Sequence, residues 1–316
     1  MSLRSVIAGC GGYLPPNVLD NNALAAKFKL DTSDEWIRER SGIRQRHLAG
    51  PDDTATSLGA EAARLALAQA GAEASEVDAI ICATSTPDNA FPSTAAHIQA
   101  ALGVTKGFAF DVSAACTGFI YALSVADAMI RAGQSRCVLV IGTEIYSRIL
   151  DWTDRSTCVL FGDGAGAVLL RAEEGGDGGI LSTHLHADGT QAGILYVEGT
   201  TGPLRMAGKE VFRHAVNKLS GVLDEALKAN GFERGDVNWL VPHQANIRII
   251  DAMGRKLGLA PDRVVKTVDR HANTSAASVP LALAEAVCDG RIRKGDLVLL
   301  EAIGGGLTWG AALVRF

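Results

Sequence analysis

Val77-Asp78-Ala79-Ile80-Ile81 and Val237-Asn238-Trp239-Leu240-Val241 stand 160 positions apart, and each follows a Gly-ended pair, Ala70-Gly71 or Asn230-Gly231, at the same spacing. The same offset carries Cys137-Val138-Leu139-Val140-Ile141 onto Leu297-Val298-Leu299-Leu300-Glu301, so two separate blocks share one register. A chain of 316 residues is long enough for two domains or one duplicated unit, and the shared register favours duplication. Between the blocks each half carries an Ala-rich helical run, 118–132 and 278–287, and each closes on a Gly-rich strand, 162–170 and 304–314. There the offset falls to 144, which leaves 16 additional residues in the first half near 144–160.

Each half therefore reads helix, buried strand, loop, helix, buried strand, Gly-rich strand. Apolar runs bounded by turn residues and alternating with helices predict a mostly parallel sheet covered on both faces. The helix at 56–70 is expected to bury Leu58, Ala62, Leu65 and Ala66, the spacing of one face. Two such units, 1–171 and 172–316, stacked through their central helices give a layered α/β fold with pseudo-two-fold symmetry. Ligands in such sheets collect at strand carboxyl ends. Three loops fall there: the one before Cys116, the one holding His243 and the one holding Asn273.

Composition narrows the classes of function. With 30 Lys+Arg against 35 Asp+Glu the net charge is −5, which gives no overall electrostatic reason to bind nucleic acid. A chain 47% hydrophobic is not disordered. No window offers the run of about 18 apolar residues that a membrane helix needs, and Ser5-Val6-Ile7-Ala8-Gly9-Cys10 is too short for a signal peptide's apolar region. A cytoplasmic location is expected. The six cysteines lack CxxC spacing, against zinc and against a disulfide framework. Five of them sit in apolar or β-branched runs as small hydrophobes.

Cys116 has a different setting, between small residues in Asp111-Val112-Ser113-Ala114-Ala115-Cys116-Thr117-Gly118-Phe119, where a long helix begins. A thiol there feels the positive end of the helix dipole, which favours the thiolate; a buried structural Cys at a tight turn is the alternative. His243 follows a buried strand in Val241-Pro242-His243-Gln244-Ala245-Asn246 and reads as a pocket imidazole or a satisfied core histidine. Asn273, in His271-Ala272-Asn273-Thr274-Ser275-Ala276-Ala277-Ser278, reads as a pocket amide or an N-cap. The offset of 160 puts Ser113 opposite Asn273, so nucleophile and amide face each other across the pseudo-two-fold. A Cys/His/Asn set also serves papain-like proteases, but their Gln before and Trp after the Cys are absent here.

The chain resembles β-ketoacyl-acyl-carrier-protein synthase III, the initiating condensing enzyme of type II fatty-acid synthesis, through nearly its whole length. The resemblance rests on Thr32-Ser33-Asp34-Glu35-Trp36-Ile37, Ser41-Gly42-Ile43-Arg44, Ala114-Ala115-Cys116-Thr117-Gly118-Phe119, Phe161-Gly162-Asp163-Gly164-Ala165-Gly166, Pro242-His243-Gln244-Ala245-Asn246, Asn273-Thr274-Ser275-Ala276-Ala277-Ser278 and Gly304-Gly305-Gly306-Leu307-Thr308-Trp309-Gly310. It implies a thiolase-like fold of two similar halves in five α-β-α-β-α layers, and a homodimer. It implies that Cys116 is S-acylated by an acyl-CoA primer. Malonyl on acyl-carrier protein then loses CO2 while His243 and Asn273 donate hydrogen bonds to its thioester carbonyl, and the enolate attacks the acyl group. The oxyanion would sit between the N–H groups of Cys116 and Gly305. No cofactor beyond the CoA thioester substrate, and no metal, is implied.

The resemblance further implies that Trp36 and Arg155 sandwich the CoA adenine, Arg155 falling in the 16-residue insertion. Arg40, Asn246, Met206 and Gly208 line the CoA and pantetheine channel. Phe91 reaches across the dimer to the partner's acyl pocket, and Arg213, Arg248, Arg255 and Lys256 offer an acidic carrier protein a basic docking surface. Two departures bear on the primer: Ala272 stands where Gly commonly precedes the Asn, and Leu307 replaces a common Phe, which would open the acyl pocket. The C-terminal Gly-rich strand lacks a degradative thiolase's second Cys, and Asn273 stands where elongating synthases have a second His. A related synthase or acyltransferase of secondary metabolism and a non-catalytic acyl-CoA or carrier-protein binder remain the alternatives; the intact Cys116, His243 and Asn273 weigh against the binder.

Overall fold

A computed structural model describes residues 3–199 and 202–316. The first sheet takes its five strands in the spatial order Leu3–Tyr13, Asp163–Glu174, Cys137–Ile145, Ala79–Ala83, Phe108–Val112. The second has four, Trp239–Pro242, Leu297–Gly304, Thr308–Arg315 and Gly179–Ala187. Three apolar cores separate the layers. Helix Ala55–Ala70 packs on the outer face of the first sheet against Ile80, Leu139 and Leu169. Helices Gly118–Arg131 and Ser278–Cys288 lie between the sheets, against Ile81, Val140, Val241 and Leu300. Helices Gly208–Ala229 and Ile247–Leu257 cover the second sheet's outer face against Leu299 and Leu313. The order is α-β-α-β-α.

The repeat extends to single hydrogen bonds. Asp78 Oδ1 accepts from Cys137 N–H (3.1 Å), and 160 positions on Asn238 Oδ1 accepts from Leu297 N–H (2.7 Å). A short 3-10 turn with a reciprocal acidic cap precedes each first inner strand, Glu73 with Glu76 and Glu233 with Asp236. The offset of 144 is equally visible, since Cys137 pairs with Arg171 and Leu297 with Arg315.

Three expectations need correction. The sheets are mixed: Ala79–Ala83 pairs parallel with both neighbours and Trp239–Pro242 parallel with Leu297–Gly304, but the closing strands pair antiparallel on both sides. The chain leaves no crossover helix between the last inner strand and the closing strand, and a parallel return requires one. The stretch at 304–314 is also not one strand, because Leu297–Gly304 and Thr308–Arg315 form a hairpin that turns through Gly305, Gly306 and Leu307. Leu65 is 46% exposed, whereas Gly59, Ala63 and Leu67 are buried beside Leu58, Ala62 and Ala66. Gly9 and Gly11 let the first strand approach so closely that a Cβ would stand 2.3 and 2.2 Å from the carbonyls of Ala66 and Ala62.

Glu301 lies inside the second sheet, fully buried, and neither carboxylate oxygen meets a hydrogen-bond partner among the described residues. Burial pushes its carboxyl up to about 8. Between the ordinary 4.5 and about 8 the native protein therefore holds a proton that the unfolded chain releases. This contribution to stability is complete below the unfolded value and is lost as pH rises through the folded one. Glu301→Gln is expected to melt several degrees above the parent at pH 8.5 and close to it at pH 4.5, read by calorimetry; an equal shift at both pH values would contradict the proton-linked account.

Candidate active site

Cys116 sits in a 3-10 turn, Ala115–Thr117, from which helix Gly118–Arg131 continues. Ala115 has φ +46°, and its counterpart Ser275 has φ +50° in the matching turn Ser275–Ala277. The two turns are repeat partners that meet across the pseudo-two-fold. Glycines permit the approach: a Cβ on Gly304 would stand 2.6 Å from Cys116 N, and one on Gly142 would stand 2.3 Å from Ala276 O. Asn273 is fastened by its backbone to the first half, its N–H donating to Leu160 O (3.0 Å) and its carbonyl accepting from Gly162 N–H (3.0 Å). Ala272 before it has φ +57°, a left-handed conformation that favours glycine, so the alanine is held there at a cost in strain.

Ser275 N–H donates to Asn273 Oδ1 (2.9 Å), which leaves the amide N–H2 as the free, donating end. His243 N–H donates to Glu301 O (2.8 Å), and the ring Nδ1 lies 2.6 Å from Ser278 Oγ. The buried Gln244 side chain spans the two loops. Its Nε2 donates to Pro242 O (2.7 Å) and Val265 O (3.1 Å), and its Oε1 accepts from Thr267 and Val268 N–H (2.8 and 3.1 Å). It couples His243 to the segment that leads to Asn273.

Cys116, His243 and Asn273 all line one cavity of about 560 Å3, and each is at least nine-tenths buried. Burial dominates their titration. The Cys116 thiol is pushed up to about 12, the lowering hydrogen bond from Ser275 notwithstanding. The expectation of a favoured thiolate is therefore corrected: loss of water outweighs the helix terminus. His243 is driven down to about 3 by burial and is a neutral imidazole. Behind Cys116, Glu144 is raised to about 7 by burial, although its Oε2 accepts from the Thr86 hydroxyl (2.7 Å) and Ser85 N–H (3.0 Å). Ser275 Oγ donates to Tyr146 Oη (2.9 Å), and Tyr146 stacks on Phe161 at 4.9 Å.

The cavity wall includes Trp36, Arg40, Met206, Gly208, Asn246 and Arg248 from the sequence reading. Asn246 caps helix Ile247–Leu257 by accepting from Arg248 N–H (2.9 Å), and its amide donates to Arg40 O (2.8 Å), tying the two sides of the mouth together. Arg155 is not part of the wall; its guanidinium stands 5.2 Å from the Trp36 ring and bonds the Asp31 carbonyl. Two stacking gaps need about 7 Å, so this spacing of 5.2 Å does not admit a purine between them. Gly305 lies in the hairpin turn, where a Cβ would stand 2.7 Å from Leu195 O. Leu307 is buried in that turn but does not line the cavity, so the open pocket expected from it is not found there. Phe91 is 86% exposed and also lies off the wall.

Of the four basic residues, Arg213 pairs with Glu210 and Lys256 with Asp224 (3.8 Å), while Arg248 donates to Glu39 O (3.0 Å). Arg255 has no carboxylate partner within 4 Å among the described residues. Sequence reasoning did not find Leu195, Lys209 and Phe212, which also line the cavity. Nothing in their spacing marks them: Leu195 opens the short strand Leu195–Val197, and Lys209 and Phe212 lie at the start of helix Gly208–Ala229.

Residues 110–189 match the family described as 3-oxoacyl-[acyl-carrier-protein (ACP)] synthase III, and residues 227–316 match its C-terminal family. A β-ketoacyl-[acyl-carrier-protein] synthase III of Acidiphilium cryptum is 66% identical over 99% of both chains. The chain belongs to the 3-oxoacyl-acyl-carrier-protein synthase III family. It is a condensing acyltransferase with the thiolase fold, and its two-sheet architecture is that of the synthase III of Aquifex aeolicus, which has a TM-score of 0.95, 47% identity, and coverage of 99% of this chain and 100% of that one. The priming β-ketosynthase of the R1128 polyketide pathway has a TM-score of 0.92 and 37% identity, with 98% of this chain and 96% of that one covered. Among the described residues no helix is long and apolar enough to cross a membrane.

Proposed function

We propose that this synthase joins a short acyl-CoA primer to malonyl-acyl-carrier protein, releasing CoA and CO2 and giving β-ketoacyl-acyl-carrier protein. The observation that carries the reading is one cavity walled by a Cys, a neutral His and a donating Asn amide. Cys116 Sγ attacks the primer thioester, CoA leaves as its thiol, and the tetrahedral oxyanion sits between the N–H groups of Cys116 and Gly305. In the second stage the malonyl C–C bond breaks to CO2. Its electron pair passes into the thioester as an enolate, held by His243 Nε2–H and Asn273 Nδ2–H. The enolate carbon then attacks S-acyl-Cys116, and the thiolate leaves. No step calls for a metal or a further cofactor.

Trp36, Arg40, Arg155, Met206, Gly208 and Asn246 serve the CoA and pantetheine arm, and Arg213, Arg248, Arg255 and Lys256 attract the acidic carrier protein. Two copies assemble through the strand Phe108–Val112, which is the edge of its sheet. It bears the stacked Phe108 and Phe110, 6.2 Å apart, and Phe91 is free to reach a partner. Exposed aromatics on an open edge call for cover. Each duplicated half, 1–171 and 172–316, contributes loops to the one site.

Likeness to a polyketide priming ketosynthase supports a second reading, the same chemistry with a different primer. Incubation with acyl-CoAs of graded length and malonyl carrier protein, followed by mass spectrometry of the Cys116 peptide, separates the two. Acetyl and other short acyl adducts, with β-ketoacyl product, are expected; preference for longer or branched primers favours the second reading, and an unmodified Cys116 with every acyl-CoA overturns both.

A further inference from the structure

His243 has two ring nitrogens, and in a neutral imidazole only one carries a proton. The proposed role requires that proton on Nε2, facing the cavity. On the other side of the ring Nδ1 meets Ser278 Oγ at 2.6 Å, both side chains being buried. Ser278 Oγ also accepts, at 3.4 Å, from Gln244 N–H. Its hydroxyl proton has no acceptor other than Nδ1 within hydrogen-bond reach among the described residues. If Nδ1 were the donor, that hydroxyl proton would be a buried orphan.

We propose that Ser278 is a positioning residue whose hydroxyl donates to His243 Nδ1 and so fixes the imidazole in the Nε2–H tautomer that holds the enolate. Ser278 opens the helix Ser278–Cys288, so its Cβ is set by regular backbone rather than by a loop. Its repeat counterpart is Gly118, which opens the helix after Cys116. A Cβ there would lie 3.0 Å from that of Ala83, so no side chain of this kind serves the first half. The duplication is thus broken by one hydroxyl at the place where only the His-bearing half has use for it.

This inference rests on the proposed role of His243, and the test separates the two. In 15N-histidine-labelled parent protein the His243 signals should show a protonated Nε2 and a bare Nδ1; a protonated Nδ1 overturns the proposal whatever the variants do. Ser278→Ala is expected to lose the single-tautomer pattern. It should also lower CO2 release from malonyl carrier protein at least tenfold while changing S-acylation of Cys116 less than twofold. Unchanged CO2 release in Ser278→Ala overturns the proposal alone, provided that His243→Ala loses that release; unchanged release in His243→Ala overturns the role of His243 on which it rests.

Discussion

Cys116→Ala is expected to leave a folded protein that takes up no acyl group from acetyl-CoA and whose condensation falls at least about 10^4-fold, the scale on which loss of a nucleophile is felt. Radiolabel retained on the variant after gel filtration and denaturation would refute the nucleophile's identity. The free enzyme adds a second, sharper expectation. With its thiol pushed up to about 12 by burial, Cys116 is almost wholly protonated at neutral pH. Iodoacetamide reacts with the thiolate, so alkylation of the Cys116 peptide should climb about tenfold per pH unit from 7 to 9. A plateau below pH 8 would mean that the helix terminus outweighs burial after all. The peptide must be read individually, because Cys288 is exposed.

Much of this molecule was legible in the chain because duplication writes the fold twice. The offset of 160 located strands, turns and the two facing loops, and it placed Asn273 opposite the nucleophile segment. Strand direction was not legible. An apolar run such as 138–141 has the same pattern in a parallel or an antiparallel pair, and only the missing crossover before each closing strand decides. Leu65, 46% exposed, was misplaced because periodicity gives a face but not its limits. The state of Cys116 could not be read either. Sequence reports the helix start that favours a thiolate, but the burial that opposes it arises only when the chain is folded around the thiol. Cavity-lining residues such as Phe212 and Leu195 owe their place to how helix Gly208–Ala229 and the short strand Leu195–Val197 border the cavity, which leaves no period behind.

Removing either enolate donor is expected to cost decarboxylation about 10^2- to 10^3-fold, the price of one oxyanion-hole hydrogen bond in a dry site. His243→Ala and Asn273→Ala should each do so, measured as CO2 released from malonyl carrier protein, with S-acylation of Cys116 reduced less than tenfold. Asn273→Asp should be worse than Asn273→Ala. Its one oxygen can still accept from Ser275 N–H, as Oδ1 does at 2.9 Å, but the other then presents an acceptor, and a charge, where the enolate needs a donor. Because the two donors hold one oxygen, the double variant should fall well short of the product of the single losses. The pH profile gives the independent check. With its imidazole lowered to about 3, His243 is neutral throughout pH 5–8, so the decarboxylation rate should carry no acid limb of its own in that range. A decarboxylation rate that falls as pH rises through about 6.5, with that fall absent in His243→Ala, would show a cationic ring at work and overturn the neutral-donor assignment.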